Sequence, residues 1–177
     1  MNREIKFRGK SIATDEWLYG YLFNYGLTAP SNVPCISVCV PTSWEEAYNL
    51  YIVHPDTIGQ YTGFKDKNGK KIFEGDIIRY YTAENYCINP DCDLALHGYA
   101  SKLVKKEYEI IYSNSCFCVN DGVLHHLPLL YCGLTDTDLA DFKTNIARSA
   151  YFDTNGYKLD DSIIGIEVIG NVIDNPD

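Results

Sequence analysis

The chain has 177 residues, 46% of them apolar and 22% charged, which makes one domain the default; a chain of this size buries about 70% of its unfolded surface. Its net charge of −9 works against non-specific binding to phosphate backbones. No run approaches the ~18 apolar residues of a membrane span, the charged start MNREIKFRGKS is unlike a signal peptide, and seven cysteines, an odd number, read as reduced thiols, so a cytoplasmic setting is expected.

Fifteen tyrosines against one methionine favour half-buried strands, where a ring packs and its hydroxyl reaches water. Residues 4–8 (EIKFR) alternate and predict a strand with Ile5 and Phe7 on one face. Residues 16–23 (EWLYGYLF) predict a second, with Trp17, Tyr19 and Tyr21 on one face and Leu18 and Leu22 on the other. Gly20 inside it implies a bulge or a close backbone approach. Residues 33–40 (VPCISVCV) form a third, and Ser43 and Glu46 have capping-box spacing that predicts one or two helical turns over 43–50. A strand follows at 50–53.

In DKNGKKIFEGDIIRY (66–80), Asn68-Gly69 predicts a hairpin turn with both residues at positive φ, strands at 70–73 and 76–81, and a second bend at Glu74-Gly75. Residues 83–106 show no period and predict a long excursion with a little helix near 98–105. Strands are expected at 107–113, 116–120 and 123–127, the last two joined at Asp121-Gly122. The one clear helix is 135–150, with Leu139, Phe142 and Ile146 at helical spacing and Asp136 or Thr137 as its cap. A second Asn-Gly turn stands at 153–157, and 162–174 reads as a strand interrupted by Gly165 and Gly170.

Several groupings invite chemistry. Cys87, Cys92, His97, Cys116 and Cys118 could supply metal ligands, but no C-x2-C knuckle is present and a structural reading is preferred. The DKNG and DTNG segments lack the oxygen ligands of a calcium loop. Cys132 with His126 and Asp136 can be drawn as a nucleophilic set, though His125 and His126 on a strand would face opposite ways. The GKS at 9–11 lacks a phosphate loop's glycine pattern. Lys102, Lys105 and Lys106 form the best local basic patch. Glu74 and Asp76 flank Gly75 and could share a proton in an extended chain, whereas a turn exit with Asp76 accepting backbone N–H groups is the plainer reading. No catalytic, cofactor-binding or metal-ligating residue and no cofactor is therefore assigned.

Three blocks carry a resemblance: REIKFRGKS…EWLYGYL at 3–22, TIGQYTGFKDKNGKKIFEGDIIRY at 57–80, and IEVIGNVIDNP at 166–176. Together they resemble the YopX family of phages, prophages and mobile elements, with Phe64, Phe73 and Val172-Ile173-Asp174 as light departures. The resemblance implies a mainly β, compact, small-barrel-like fold of short twisted strands with one or two short helices. It implies a single domain over 1–177, with insertions at about 82–106 and 135–150, in the cytosol of a bacterial host. It brings no established activity and no catalytic residues. The expectation is a non-enzymatic binding or interaction module, its partner a host or phage protein or a second copy in a homo-oligomer, with no membrane and with nucleic acid disfavoured. The alternatives are an accessory to nucleic-acid transactions, by binding or acidic mimicry, and an enzyme using Glu74 and Asp76.

Overall fold

The computed structural model describes residues 4–25, 33–38, 51–87, 99–113, 115–122, 128–129, 132–148 and 152–175. The chain divides into two compact units. The first comprises Met1–Lys65, Lys71–Asp76 and Asn171–Asp177; the second comprises Asp66–Lys70 and Ile77–Gly170.

The first unit is a six-stranded sheet built from β1 (Phe7–Lys10), β2 (Trp17–Tyr25), β3 (Val33–Ser37), β4 (Tyr51–Ile52), β5 (Gly59–Lys65) and β6 (Lys71–Phe73). Their order is β4-β3-β2-β1-β5-β6, and neighbours run antiparallel. Register places Arg8 opposite Tyr19 and Lys10 opposite Trp17, so β1's basic residues and β2's aromatic ones share a face, as strand alternation requires. The opposite face is the apolar core: Ile36 and Val53 are fully buried, and a side chain at Gly9 would touch both within 3.2 Å. The first strand starts later than its alternation predicts. Ile5 stands exposed ahead of it, and Arg8, not an apolar residue, is the buried side chain.

Gly20 is a close approach. A Cβ built there would lie 1.9 Å from the carbonyl oxygen of Ser37, on the neighbouring strand. That atom is backbone and cannot rotate away, so the strands would have to part. Gly20→Ala is expected to lower stability by about 2–3 kcal/mol, the upper part of the overpacking range. Denaturant midpoints at unchanged slope would check it, and a neutral result would sink the close-approach account.

The second unit holds most of β7 (Asp76–Cys87) and β11 (Ile166–Asn171), with β8 (Tyr99–Ser113), β9 (Cys116–Val119), β10 (Phe152–Asp153) and one helix, α1 (Asp136–Arg148). The strand order is β10-β8-β7-β11, with β9 also paired to β8. The β10–β8 pair is parallel, while β7–β8 and β8–β9 are antiparallel. The expected excursion over 83–106 is overturned at both ends. Residues 77–87 pair continuously with 99–109, and 99–105 is strand rather than helix. The period was hidden because charge decorates this ladder: Arg79 and Lys105 both bind Glu107, and Lys106 binds Glu84. Such a strand takes its conformation from a partner about twenty residues away, which local pattern does not register.

The helix forms as expected, but its cap lies one residue earlier. Asp138 N–H donates to Thr135 Oγ1 at 3.3 Å, and Thr135 N–H donates to Asp138 Oδ2 at 2.8 Å, a reciprocal capping box. Hydrogen bonds from the Thr135 hydroxyl and then its N–H hold the Asp138 carboxyl below its usual range. Leu139 packs with Leu103, Leu134 and Ile163 in a core flanked by Tyr81 and Tyr157.

The two Asn-Gly turns differ. Gly69 N–H donates to Asp66 O at 2.9 Å, and of its pair only Gly69 takes positive φ, at +82°. Asn155 and Gly156 both do, at +51° and +80°, closed by Tyr157 N–H on Thr154 O at 3.0 Å. The second turn therefore has the backbone expected of the first. The C-terminal segment opens as a short 3-10 turn at Asp161–Ile163, passes Gly165 at φ +73°, and only then becomes β11.

The mainly β expectation holds. Among the described residues both strand orders are open, so the small-barrel detail is not met. The helical turns expected at 43–50, the strand at 123–127 with His125 and His126, and residues 88–98 of the excursion lie outside the described residues.

Candidate functional site

A buried polar arrangement in the first unit is built around Arg8. Strand β1 places it beside β2 on one side and β5 on the other, and its guanidinium meets the chain again 68 residues later. Nη1 donates to Asp76 Oδ1, and Nη2 donates to Glu74 O at 3.0 Å. Asp76 Oδ2 accepts the N–H of Phe73 at 2.8 Å. Gly75, at φ +79°, makes the bend that turns Glu74 O and Asp76 toward the same cation. Both partners are buried, Arg8 5% and Asp76 1% exposed. Arg8 Nε is buried without a hydrogen bond among the described residues. Its guanidinium instead lies 4.7 Å from the Trp17 ring centroid and 5.3 Å from that of Phe73, where the aromatic faces favour a cation.

A second network fixes Trp17. Asp174 Oδ2 accepts from Trp17 Nε1 and from Asn171 Nδ2, each at 2.8 Å, and Lys10 Nζ binds Asp174 Oδ1 at 2.8 Å. These hydrogen bonds, Asn171's first, then Lys10's and Trp17's, outweigh burial and hold the Asp174 carboxyl down at about 2. Tyr19 follows on the same face, its ring 5.5 Å from Phe73, which in turn lies 5.5 Å from Tyr61. Tyr19 remains 51% exposed. Trp17, Tyr19, Tyr21 and Phe23 thus alternate along one face of β2, partly open to solvent, with the Arg8 guanidinium against Trp17.

After the bend at Gly75, the Asp76 carboxylate is engaged by Arg8 and the Phe73 N–H. In the other unit Asp66 does comparable work. Its Oδ1 accepts from Asn68 N–H and Lys70 N–H at 2.8 Å each, and its Oδ2 accepts from Val168 N–H at 3.2 Å. Burial pushes its carboxyl up, but the three N–H donors together outweigh it and leave it below the ordinary value.

The remaining groupings fare as follows. Cys116 and Cys118 lie side by side, Sγ to Sγ 3.3 Å, whereas Cys92, His97 and the Cys87 side chain are outside the described residues. Among the described residues no three His, Cys, Asp or Glu side chains gather to hold a metal ion. Cys132 is buried, and burial pushes its thiol up to about 11; Asp136 is exposed at the start of α1, and His126 is not described. In the basic patch Lys105 pairs with Glu107 on its own strand and Lys106 pairs with Glu84 on the neighbouring one.

A family model described as YopX protein matches residues 6–177. The chain belongs to the YopX family. No curated protein matches it. The crystal structure of protein EF1440 from Enterococcus faecalis is similar at 22% identity, over 99% of this chain and 98% of that one, with a TM-score of 0.44. No helix of this YopX chain is long and apolar enough to cross a membrane among the described residues.

The three blocks that carry the YopX resemblance hold the residues that tie each unit together. Arg8 and Trp17 come from the first, Asp66 and Asp76 from the second, and Asn171 and Asp174 from the third. Sequence reasoning missed Arg8 altogether. One signal was available: an arginine set within an alternating strand, on an acidic chain, needs a buried carboxylate if that strand is central. Asp66 was half legible, since an aspartate before Asn-Gly bonds its own turn, but the reach to Val168 had no local sign.

Proposed function

We propose that this YopX protein is a binding module and that the aromatic face of β2 is its contact surface for a protein partner inside a bacterial host. The observation that carries the reading is Tyr19. It is half exposed, yet its ring packs on Phe73, which itself lies against the buried Arg8 guanidinium. An aromatic side chain held in place before binding loses little entropy when covered, which is the usual character of an interface anchor. Burial also raises the Tyr19 hydroxyl above its ordinary value, so it stays a neutral donor at physiological pH.

Base stacking on the same ladder is the competing reading. Cations on and beside this face argue against it, because each meets a carboxylate: Arg8 with Asp76, Lys10 with Asp174, and Lys6 and Lys71 with Glu4. That leaves little charge to neutralise phosphates, on a chain already at −9.

Capture from a host lysate with the natural chain and with Tyr19→Ser/Tyr21→Ser tests the reading. A host or phage protein held by the first should be lost from the second, while both unfold at similar denaturant concentration. Identical capture by both would overturn it. Mass measurement over a concentration series checks whether the partner is a second copy, and salt-titrated binding to single-stranded DNA and RNA checks the stacking alternative.

A further inference from the structure

Strand β9, paired to β8, carries two adjacent thiols. Cys116 and Cys118 are two residues apart on β9, so their side chains leave the strand on the same side. Their sulfurs are in contact at 3.3 Å, and both face the carbonyl oxygen of Ser113, at 3.5 and 3.7 Å. Both are free, Cys118 fully buried and Cys116 half-buried. A strand rises about 3.2–3.4 Å per residue, which sets the two Cα atoms about 6.4–6.8 Å apart. Disulfides span about 4.4–6.8 Å between Cα atoms and about 3.5–4.5 Å between Cβ atoms, so closing a bond here would draw the strand in locally, and the bond would be readily reduced.

We propose that Cys116 and Cys118 form a reversible dithiol–disulfide site that exchanges with a small-molecule disulfide such as oxidised glutathione. Cys116, the more accessible, loses its proton to water and attacks one sulfur of the small disulfide. The small S–S bond breaks, one half leaves as a thiolate that takes up a proton, and Cys116 is left in a mixed disulfide. Cys118 then gives up its proton and attacks Cys116 Sγ, displacing the second half, which is protonated in turn. Two protein thiols are oxidised to one disulfide, and one small disulfide is reduced to two thiols.

The order of attack follows from the surroundings. Burial, then the hydrogen bond with Cys116, then the Cys116 charge, push the Cys118 thiol up to about 11. Cys118 is therefore a poor first nucleophile at neutral pH. Capping Cys116 removes the second and third of these causes, which favours the resolving step only after the first has occurred.

The test equilibrates the native full chain with a series of oxidised-to-reduced glutathione ratios and follows it by intact mass and peptide mapping. The expected result is a loss of two hydrogens confined to the peptide holding Cys116-Phe117-Cys118, reversed by excess reduced glutathione. Cys118→Ser should stop at a glutathione adduct on Cys116. Cys116→Ser should take no adduct on Cys118 while native and should take one when denatured. The proposal is overturned if Cys116 or Cys118 pairs with another cysteine, if native Cys116→Ser is modified at Cys118, or if the natural chain stays reduced at every ratio while its denatured form reacts. The natural chain's own mapping decides the matter even if a variant fails to fold.

Discussion

Unfolding in urea is expected to cost about 3–5 kcal/mol less for Asp76→Ala than for the natural chain, because removing one partner strands the other charge in the interior. Arg8 and Asp76 are both almost wholly buried, and Arg8 already carries one N–H with no hydrogen bond among the described residues. Taking away the carboxylate would leave Arg8 Nη1 and the Phe73 N–H without their acceptor as well. The paired variant Arg8→Leu/Asp76→Leu should recover a good part of the loss, since two apolar side chains in place of an ion pair are often neutral or better. It should not recover all of it, because the Phe73 N–H and Glu74 O would still lack partners. A loss below about 1 kcal/mol for Asp76→Ala is what an exposed, screened pair would show. That outcome would refute the buried-pair account and with it the fixed setting of the Trp17 and Phe73 rings.

The second large effect concerns Asp66, and it depends on pH. Asp66→Ala leaves three backbone N–H groups, those of Asn68, Lys70 and Val168, without their acceptor. At about 1–3 kcal/mol for each buried donor left unpaired, and allowing water to reach the turn, a loss of about 3–4 kcal/mol is expected near neutral pH. Asp66→Asn keeps one oxygen and should fall between. The folded carboxyl titrates below its ordinary value of 3.8, so the unfolded chain takes up the proton first. The stabilisation is therefore complete above the unfolded value and is lost as pH falls through the lower, folded one. The gap between natural chain and Asp66→Ala, followed by urea midpoints from about pH 7 to about pH 2, should narrow only in that acid range. A gap that stays constant would mean the carboxylate's charge contributes nothing beyond its shape.

How much of this was legible without coordinates varies by element. Strands β2 and β9 were legible because their residue pattern is a local property, whereas β1 begins later than its alternation predicts and β5 was not expected from the sequence. Gly20 was readable as a close approach for the same reason: a glycine inside an otherwise strong strand signals a neighbour too near for a Cβ. The Asn-Gly pairs named two turns but not their kinds, since the backbone of a turn also depends on what its flanks bond to. At 66–70 the Asp66 carboxylate holds the turn residues and β11 together, and only Gly69 of the pair takes positive φ. At 153–157 the Asp153 carboxylate accepts the Asn155 N–H within its own turn, and the positive φ pair appears.

The YopX blocks were recognisable as a string, and the membership followed from them. The reason those residues stand in those blocks was not recognisable. Arg8 and Asp76, Trp17 and Asp174, Asp66 and Val168 are separated by 68, 157 and 102 positions, and each pair meets only in the folded chain. The same holds for the ladder of 77–87 with 99–109, where ion pairs across strands replaced the apolar period that local reading depends on. Residue type and spacing thus mark the turns, the helix and the strands whose pattern is local, because those choices are made within one or two turns of backbone. Which charge is buried, which tyrosine is left in the open, and which two thiols touch are decided by non-local pairing, and that is a property of the folded molecule alone.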